Sequence, residues 1–224
     1  MPTRDRGELI GDSIKSIIDQ TFTDWELIIV DDHSSSDDNT EEVVKSFTDK
    51  RIKYFKLTDE NGKGISAARN FGNAVATGDY IAVMDSDDVS NPERFEHSLV
   101  SLEEAGADFV YGELQYWDPE TGEIKTRDDC TSIPFDADLL LKYCYIPHVT
   151  CVYKRSIALD FPYNSFFRRG EDYDFFLRLA KTKHKFYFID ECLTKYRRHG
   201  DSVTRKGTNL FDYDAQARSN YLNQ

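Results

Sequence analysis

Three carboxylates directly after one apolar segment are the residues of this chain best suited to metal or phosphate chemistry. Asp85, Asp87 and Asp88 follow residues 80–84, which read Tyr-Ile-Ala-Val-Met. Carboxylates this close repel and raise one another's pKa values unless a cation lies among them. Their hard oxygen atoms suit Mg²⁺ or Mn²⁺, which substrate phosphates also bind. The alternative interpretation is an acidic turn with solvated carboxylates, so other parts of the chain must decide.

The elements that must position these carboxylates alternate between helix and strand. Strands are predicted at 26–30, 52–57 and 80–84, and helices at 8–20, 38–49, 64–76 and 92–104. This alternation implies a parallel sheet with helices on both faces. In such sheets ligands bind beyond the carboxyl ends of the strands. Asp31 and Asp32 follow one predicted strand, and the acidic cluster follows another.

The second half of the chain has a different pattern, although no Pro/Gly-rich linker separates the halves. Strands are predicted at 108–117, 148–153 and 185–190, and helices at 136–145 and 171–182. We therefore expect a single domain.

Composition excludes several classes of protein. The 224 residues carry a net charge of −13 without a dominant basic patch, which argues against a nucleic-acid partner. The four cysteines lack CxxC spacing and are expected to be reduced thiols. No apolar run approaches the ~20 residues of a membrane span, and no signal peptide is visible. We expect a cytoplasmic protein without an integral membrane segment, at most peripheral to the inner face of the membrane.

Six short motifs run in order through most of the chain. They are Pro-Thr at 2–3, Val-Asp-Asp-His-Ser at 30–34, Gly-Ile-Ser-Ala-Ala-Arg-Asn at 64–70, Met-Asp-Ser-Asp-Asp at 84–88, Gly-Glu-Asp-Tyr-Asp at 170–174 and Tyr-Arg-Arg-His-Gly-Asp-Ser at 196–202. Each motif alone is weak, but together they resemble the large family 2 of inverting glycosyltransferases. This resemblance implies the GT-A fold, an α/β domain with a Rossmann-like, mostly parallel sheet flanked by helices. It further implies a nucleotide-sugar-binding half at 1–107, an acceptor-binding half at 108–205 and a C-terminal tail at 206–224.

The resemblance implies donor-binding roles for four residues outside the acidic cluster. Asp32 is similar to the carboxylate that accepts a hydrogen bond from the nucleotide base, and Asp31 is expected to share that role. Thr3 resembles the threonine near the base and ribose, and Arg69 the arginine that faces the nucleotide. From the residues alone, the two aspartates also suit a turn or helix cap, and Arg69 suits an ion pair with either of them.

The resemblance also implies a divalent metal site. Asp85 is similar to the family residue that contacts the ribose and the metal, and Asp87 to the direct metal ligand. His199 resembles the histidine that approaches the metal or the diphosphate, the alternative being a lone surface histidine. The implied cofactor is Mn²⁺ or Mg²⁺, which would neutralise the diphosphate leaving group.

Three residues are implied on the acceptor side. Asp172 matches the general base that takes the proton of the acceptor hydroxyl, with Glu171 beside it. Both also suit the N-terminus of helix 171–182, as a cap or as a dipole partner. His148 lies where many relatives have a histidine near the acceptor, but a hydrogen-bonded core histidine fits the pattern equally well.

The expected function is therefore metal-dependent, inverting transfer of a hexosyl or N-acetylhexosaminyl group. The donor would be a nucleotide-sugar, with UDP as the expected nucleotide, and the acceptor a hydroxyl of a glycan or lipid-linked glycan. Two alternatives are a non-catalytic nucleotide-sugar-binding relative and a sugar-1-phosphate nucleotidyltransferase. The latter usually has a Gly-rich, basic segment after its first strand, which residues 3–7 match poorly.

The apolar strand that precedes Pro-Thr in relatives has almost no counterpart before Pro2. Neighbouring strands would then lack a ladder partner, so we expect marginal stability or self-association. The first candidate to replace the strand is the segment 209–224.

Overall fold

The computed structural model describes residues 1–61, 63–126, 133–199 and 210–223. Cys130 and motif residues 200–202 lie outside these ranges, as do 206–209 of the predicted tail. The described helices are α1 (Ile10–Ile18), α2 (Thr40–Ser46), α3 (Ile65–Val75), α4 (Arg94–Glu104), α5 (Ala137–Leu140), α6 (Arg155–Asp160), α7 (Glu171–Ala180) and α8 (Leu210–Asn223). Within these ranges, none of the helices is long and apolar enough to cross a membrane.

A three-stranded parallel sheet forms the first half of the domain. It contains β1 (Pro2–Thr3), β2 (Leu27–Asp31) and β3 (Ile52–Lys56), with β2 in the middle. All five residues of β2 are buried, as expected for a strand covered on both faces. The α/β architecture expected from the alternating pattern is confirmed here.

A six-stranded mixed sheet combines strands from both halves of the chain. Its strands are β4 (Tyr80–Ala82), β5 (Val89–Ser90), β6 (Phe109–Trp117), β7 (Ile124–Thr126), β8 (Val152–Lys154) and β9 (Phe186–Arg197). The order is β4-β8-β6-β9-β5, and β7 pairs with β6. β6 and β9 run parallel, but the pairs β4–β8, β5–β9, β6–β7 and β6–β8 are antiparallel. The prediction that segment 80–84 is a parallel strand was therefore wrong, because its partner β8 comes from the second half in the opposite direction.

Segment 136–153 departs most from the predicted elements. The predicted helix 136–145 is only α5, and the predicted strand 148–153 divides into a 3₁₀ turn at His148–Thr150 and strand β8. The Thr150 hydroxyl hydrogen-bonds with the backbone of Gly112, which ties the turn to β6. Tertiary hydrogen bonds of this kind override the local strand pattern.

The C-terminal helix α8 packs on α7 and does not join a sheet. Ala217 is buried in the core of the second half, and Tyr213 and Tyr221 pack against that core. The expectation that segment 209–224 replaces the first strand was therefore wrong for its described part. β1 remains as two residues, and the backbone N–H of Asp32 donates to the carbonyl of Thr3 at 2.8 Å.

A cavity of about 700 Å³ separates the two sheets. Within the described strands, β1 pairs only with β2 and β4 only with β8, so both sheets end at this cavity. Apolar side chains from both sheets and from α3 line much of it, among them Leu27, Ile28, Ala68, Ile81, Ala82 and Val152. The space therefore suits an extended apolar segment that would join the sheets.

We expect about six apolar, β-branched residues added before Pro2 to raise the melting temperature by several degrees. They would bury apolar surface and give both sheet edges a partner, and each kcal/mol corresponds to only ~2–4 °C for a domain of this size. Calorimetry measures the shift, with a Gly/Ser extension of equal length as the control. Equal melting temperatures for the two extensions, together with monomeric behaviour of the unextended chain, would show that the cavity does not weaken the fold.

Candidate active site

A second cavity, of about 960 Å³, lies where the carboxyl ends of β1 and β2 face the start of α7. It contains most of the residues that the motifs singled out. Those that line it are Thr3, Asp32, Arg69, Asp85, Asp87, His148, Glu171 and Asp172. We call this cavity the cleft. Asp31 and His199 are not among its lining residues, although His199 contacts Asp87.

The ends of β1 and β2 provide one wall of the cleft. The Thr3 hydroxyl is buried and has no hydrogen-bond partner among the described residues. Asp32 is also buried, and its carboxylate accepts a hydrogen bond from the backbone N–H of Gly64 at 2.9 Å. The neighbouring ring of His33 lies 3.1 Å from the other Asp32 oxygen.

Asp31 has a structural environment instead. It is fully buried, and its two oxygens accept hydrogen bonds from the Ser34 backbone at 2.7 Å and the Tyr54 hydroxyl at 2.6 Å. Since both oxygens are engaged away from the cleft, Asp31 corresponds to the turn interpretation of the Asp-Asp pair.

Arg69 is held inside the cleft wall by the way α3 packs on β2. Gly72 of this helix faces β2, where a Cβ would contact the Val30 side chain at 3.4 Å. The guanidinium group then lies between two carboxylates, Asp85 at 2.9 Å and Glu171 in a short contact. The alternative of an ion pair for Arg69 is therefore observed, but its partners are these two residues and not the Asp31-Asp32 pair.

Asp87 and His199 form a carboxylate–imidazole pair, with Asp87 Oδ2 3.1 Å from His199 Nε2. The His199 side chain is only 14% exposed, so it is not a lone surface histidine.

Asp88, the third carboxylate of the acidic motif, is not part of this pair. One of its oxygens accepts the backbone N–H of Arg197, and burial, more than the neighbouring Asp87, raises its pKa well above the usual range.

The acidic motif does not form a complete metal site with the other residues that this structure describes. Among the described residues, there is no group of three or more His, Cys, Asp or Glu side chains arranged to hold an ion. Asp85 is turned to Arg69, whereas Asp87 and His199 already converge. One carboxylate and one imidazole fit Mn²⁺ or Mg²⁺ when substrate phosphates complete the coordination, as is common for these ions.

Asp172 lies in the first turn of α7, which begins after Gly170 in the left-handed conformation (φ 70°). One oxygen of Asp172 accepts the backbone N–H of the next residue, Tyr173, at 2.8 Å. The N-cap of α7 is Gly170, so Asp172 does not cap the helix as the alternative interpretation predicts. Burial, reinforced by the adjacent Glu171, raises the pKa of Asp172 to about 7. A carboxylate with this pKa can exchange a proton near neutral pH.

His148 is a buried histidine that also faces the cleft. Its Nε2 lies 2.8 Å from the Tyr163 hydroxyl, which in turn lies 3.0 Å from the Tyr153 hydroxyl. Burial, with Arg69 nearby, lowers the pKa of His148 well below its usual value, so the ring is neutral. His148 is therefore a hydrogen-bonded core histidine that also lines the cleft, so the core interpretation and the acceptor-side interpretation are compatible.

Arg6 and Asp214 are two of several cleft residues to which the sequence analysis gives no role. Arg6 Nε lies 3.5 Å from Asp87 Oδ2, and Asp214 of α8 lies at the edge of the cleft near Gly170. The sequence did contain a signal for Arg6. This residue is a cation three residues after the Pro-Thr motif, just beyond the carboxyl end of β1, where ligands of parallel sheets bind. Nothing local marks Asp214, since only the packing of α8 on α7 brings it to the cleft.

Comparison with known proteins identifies the family of this chain. The sequence model described as "Glycosyl transferase family 2" matches residues 1–174. An uncharacterized glycosyltransferase of Methanocaldococcus jannaschii is 33% identical over 193 residues, which are 84% of this chain and 65% of that protein. The UDP-Glc:α-D-GlcNAc-diphosphoundecaprenol β-1,3-glucosyltransferase of Escherichia coli is 33% identical over 183 residues, which are 81% of this chain and 68% of that protein. The chain thus spans about two thirds of the length of these relatives.

Solved structures share the fold at low sequence identity. Residues 1–349 of S. aureus TarS in complex with UDP-GlcNAc superpose with a TM-score of 0.79 at 17% identity, covering 99% of this chain and 64% of that one. A mannosyltransferase of Pyrobaculum calidifontis in complex with GDP-Man and Mn²⁺ gives 0.63 at 16% identity, covering 99% and 60%. Because the family model covers most of the chain and the fold agrees with these structures, the protein belongs to glycosyltransferase family 2 and has the GT-A fold.

Proposed function

We propose that this protein transfers a sugar from a nucleotide-sugar to an acceptor hydroxyl with inversion at the sugar carbon. The observation that carries the proposal is the position of Asp172. It is a carboxylate with a pKa of about 7, and it shares one cleft with the residues of the nucleotide motifs. A base on the opposite side of a cleft from a donor site is what an inverting transfer requires.

The donor would occupy the wall formed by Thr3, Asp32 and Asp85. The Thr3 hydroxyl, which has no partner among the described residues, and the Asp32 carboxylate would supply polar groups for a nucleoside. Asp85, the first residue of the acidic cluster, lines the same cleft. UDP is the proposed nucleotide, because TarS was solved with UDP-GlcNAc and the E. coli relative is named for UDP-Glc. The proposed sugar is accordingly a hexosyl or N-acetylhexosaminyl group.

Asp87 and His199 would hold a divalent ion, with Asp85 available once Arg69 releases it. Mn²⁺ in the mannosyltransferase complex supports this use of the acidic motif. Such an ion would supply positive charge to the diphosphate as the sugar leaves. The protein's own contribution here is the pair of converging ligands 3.1 Å apart.

Asp172 would act on the acceptor in a single displacement. The acceptor oxygen bonds to the sugar carbon, its proton moves to the carboxylate of Asp172, and the electron pair of the breaking bond leaves with the diphosphate. In the ligand-free protein, Arg69 ties Glu171 beside the base to Asp85 on the donor side. Neutral His148 would line the acceptor side without adding charge.

The acceptor would be a hydroxyl of a glycan or lipid-linked glycan. The E. coli relative, whose name specifies a sugar on diphosphoundecaprenol, supports this class. The second half of the chain would bind it, since residues of β6 and β9 such as Tyr116 and Tyr196 line the cleft next to Arg198.

Release of free nucleotide from a panel of UDP-, GDP- and dTDP-sugars tests the function directly. A transferase releases the nucleoside diphosphate in proportion to glycosylated product. A nucleotidyltransferase instead forms pyrophosphate from a nucleoside triphosphate and a sugar-1-phosphate, and a binding protein releases nothing. Nucleotide-sugar binding without release would favour the binding protein.

We expect Mn²⁺ or Mg²⁺ to strengthen UDP binding and Asp87→Ala to abolish that gain. The change removes the only carboxylate that already converges with His199 among the described residues. Calorimetric titration of UDP with metal and with EDTA measures the gain in both proteins. Equal UDP affinity of the unchanged protein in Mn²⁺ and in EDTA would contradict metal dependence.

A further inference from the structure

Arg6 is a cation of the cleft with an unusual partner. Its guanidinium lies 3.5 Å from Asp87 Oδ2, the same oxygen that His199 approaches at 3.1 Å. The Arg6 side chain is 19% exposed and that of Asp87 22%, so solvent screens the pair only in part. Arg6 therefore neutralises the carboxylate that the proposed metal site would use.

The backbone around Arg6 is held by shorter hydrogen bonds than its side chain. The N–H of Asp5 donates to Ser34, the N–H of Arg6 donates to Thr40 at 2.8 Å, and the N–H of Gly7 approaches Asp38. Among the described residues, the guanidinium donates to the backbone carbonyls of Asp5 and Arg4, at 3.1 and 3.5 Å, besides its ion pair with Asp87. A backbone held in this way, with a more lightly held cation, allows the side chain to exchange partners.

Each carboxylate of the acidic motif already has a partner that is positively charged or donates a hydrogen bond to it. Asp85 is paired with Arg69, Asp87 with Arg6 and His199, and buried Asp88 with the backbone N–H of Arg197. A divalent ion that binds Asp87 must therefore displace Arg6 or bind against its charge. A displaced Arg6 stays at the mouth of a cleft in which a diphosphate carries negative charge.

We propose that Arg6 exchanges partners in the donor site, neutralising Asp87 in the free protein and binding the donor's diphosphate when a divalent ion takes Asp87. This inference rests on the proposed function, because it assumes that the cleft binds a nucleoside diphosphate. Arg6 suits the second role because a guanidinium binds phosphate oxygens in bidentate fashion. The exchange couples metal and nucleotide binding, since each favours the same position of Arg6.

Mn²⁺ binding without nucleotide tests the first half of the exchange. Electron paramagnetic resonance measures free Mn²⁺ in titrations of the unchanged protein, Arg6→Met and Arg6→Lys. Arg6→Met is expected to bind Mn²⁺ at least about fivefold more tightly, the factor that corresponds to two charges 4 Å apart in water. Arg6→Lys keeps the charge and is expected to stay near the unchanged protein. Arg51→Met is the matched control, because Arg51 forms a partly exposed ion pair with Asp49 outside the cleft.

UDP binding at saturating Mn²⁺ tests the second half. Arg6→Met is expected to weaken UDP binding about tenfold, because it loses a charge-assisted hydrogen bond to phosphate. Unchanged or weaker Mn²⁺ binding by Arg6→Met, or unchanged UDP binding, would overturn the exchange. If the unchanged protein bound none of UDP, GDP and dTDP, the proposed donor site itself would fail. Melting curves of each variant verify that it is folded.

Discussion

Asp172→Asn is expected to lower the rate of sugar transfer at least about 100-fold while UDP binding stays within a few-fold of the unchanged protein. The amide keeps the shape of the side chain but cannot accept the proton of the acceptor hydroxyl, and a positioned base contributes roughly 10²–10⁴-fold. Nucleotide binding is expected to be spared because the proposed donor contacts, Thr3 and Asp32, lie at the ends of β1 and β2 and not on α7. Such a variant loses transition-state stabilisation without losing donor affinity.

Nucleotide release gives the transfer rate of this variant, and calorimetry gives its UDP affinity. Asp190→Asn, at an exposed residue of β9, is the control for loss of one carboxylate. Transfer within about threefold of the unchanged protein would reassign Asp172 to a structural role in the first turn of α7, where it accepts the backbone N–H of Tyr173.

The pH dependence of the same pair of proteins provides a second measurement. With the pKa of Asp172 at about 7, transfer by the unchanged protein is expected to rise as pH increases through 7 and then level off. The stability effect has the opposite direction, because a raised folded-state pKa disfavours the ionised form in the native protein. Its cost develops as pH rises from the ordinary carboxyl pKa towards 7 and persists above it. Asp172→Asn is therefore expected to melt at a higher temperature than the unchanged protein at pH 8, with little difference near pH 4.

Arg69→Met is expected to destabilise the protein by about 3–5 kcal/mol, a fall in melting temperature of roughly 10 °C. Both side chains of the Arg69–Glu171 pair are less than a tenth exposed, so the substitution leaves a buried carboxylate without its cation. It also frees Asp85, which the other side of the guanidinium holds at 2.9 Å.

Urea denaturation measures this loss, and two further variants separate its causes. The double variant Arg69→Met, Glu171→Leu removes the orphaned charge and is expected to recover part of the stability, because an apolar pair can replace a buried ion pair. Arg4→Met is the control, since its ion pair with Asp5 is exposed and contributes little. A loss below about 1 kcal/mol for Arg69→Met would mean that water reaches Glu171 and replaces the guanidinium.

Local sequence was sufficient for the elements that bring the motifs to the ends of strands. The continuous apolar run of β2 and the apolar face of α1 lie where their patterns predict them, with Ile10, Ile14 and Ile17 buried. The acidic residues follow β4, and Asp172 lies in the first turn of α7. These features depend on neighbours within a few residues, so a linear pattern contains them.

The tertiary structure decided which charged groups meet. Arg69 pairs with Glu171, which is 102 positions away in the chain, and Arg6 reaches Asp87 across the cleft. The same is true of the antiparallel pairing of β4 with β8 and the assignment of Asp31 to a buried turn. Contacts of this kind depend on how strands and helices pack, and a linear pattern does not contain the directions in which side chains from distant segments converge.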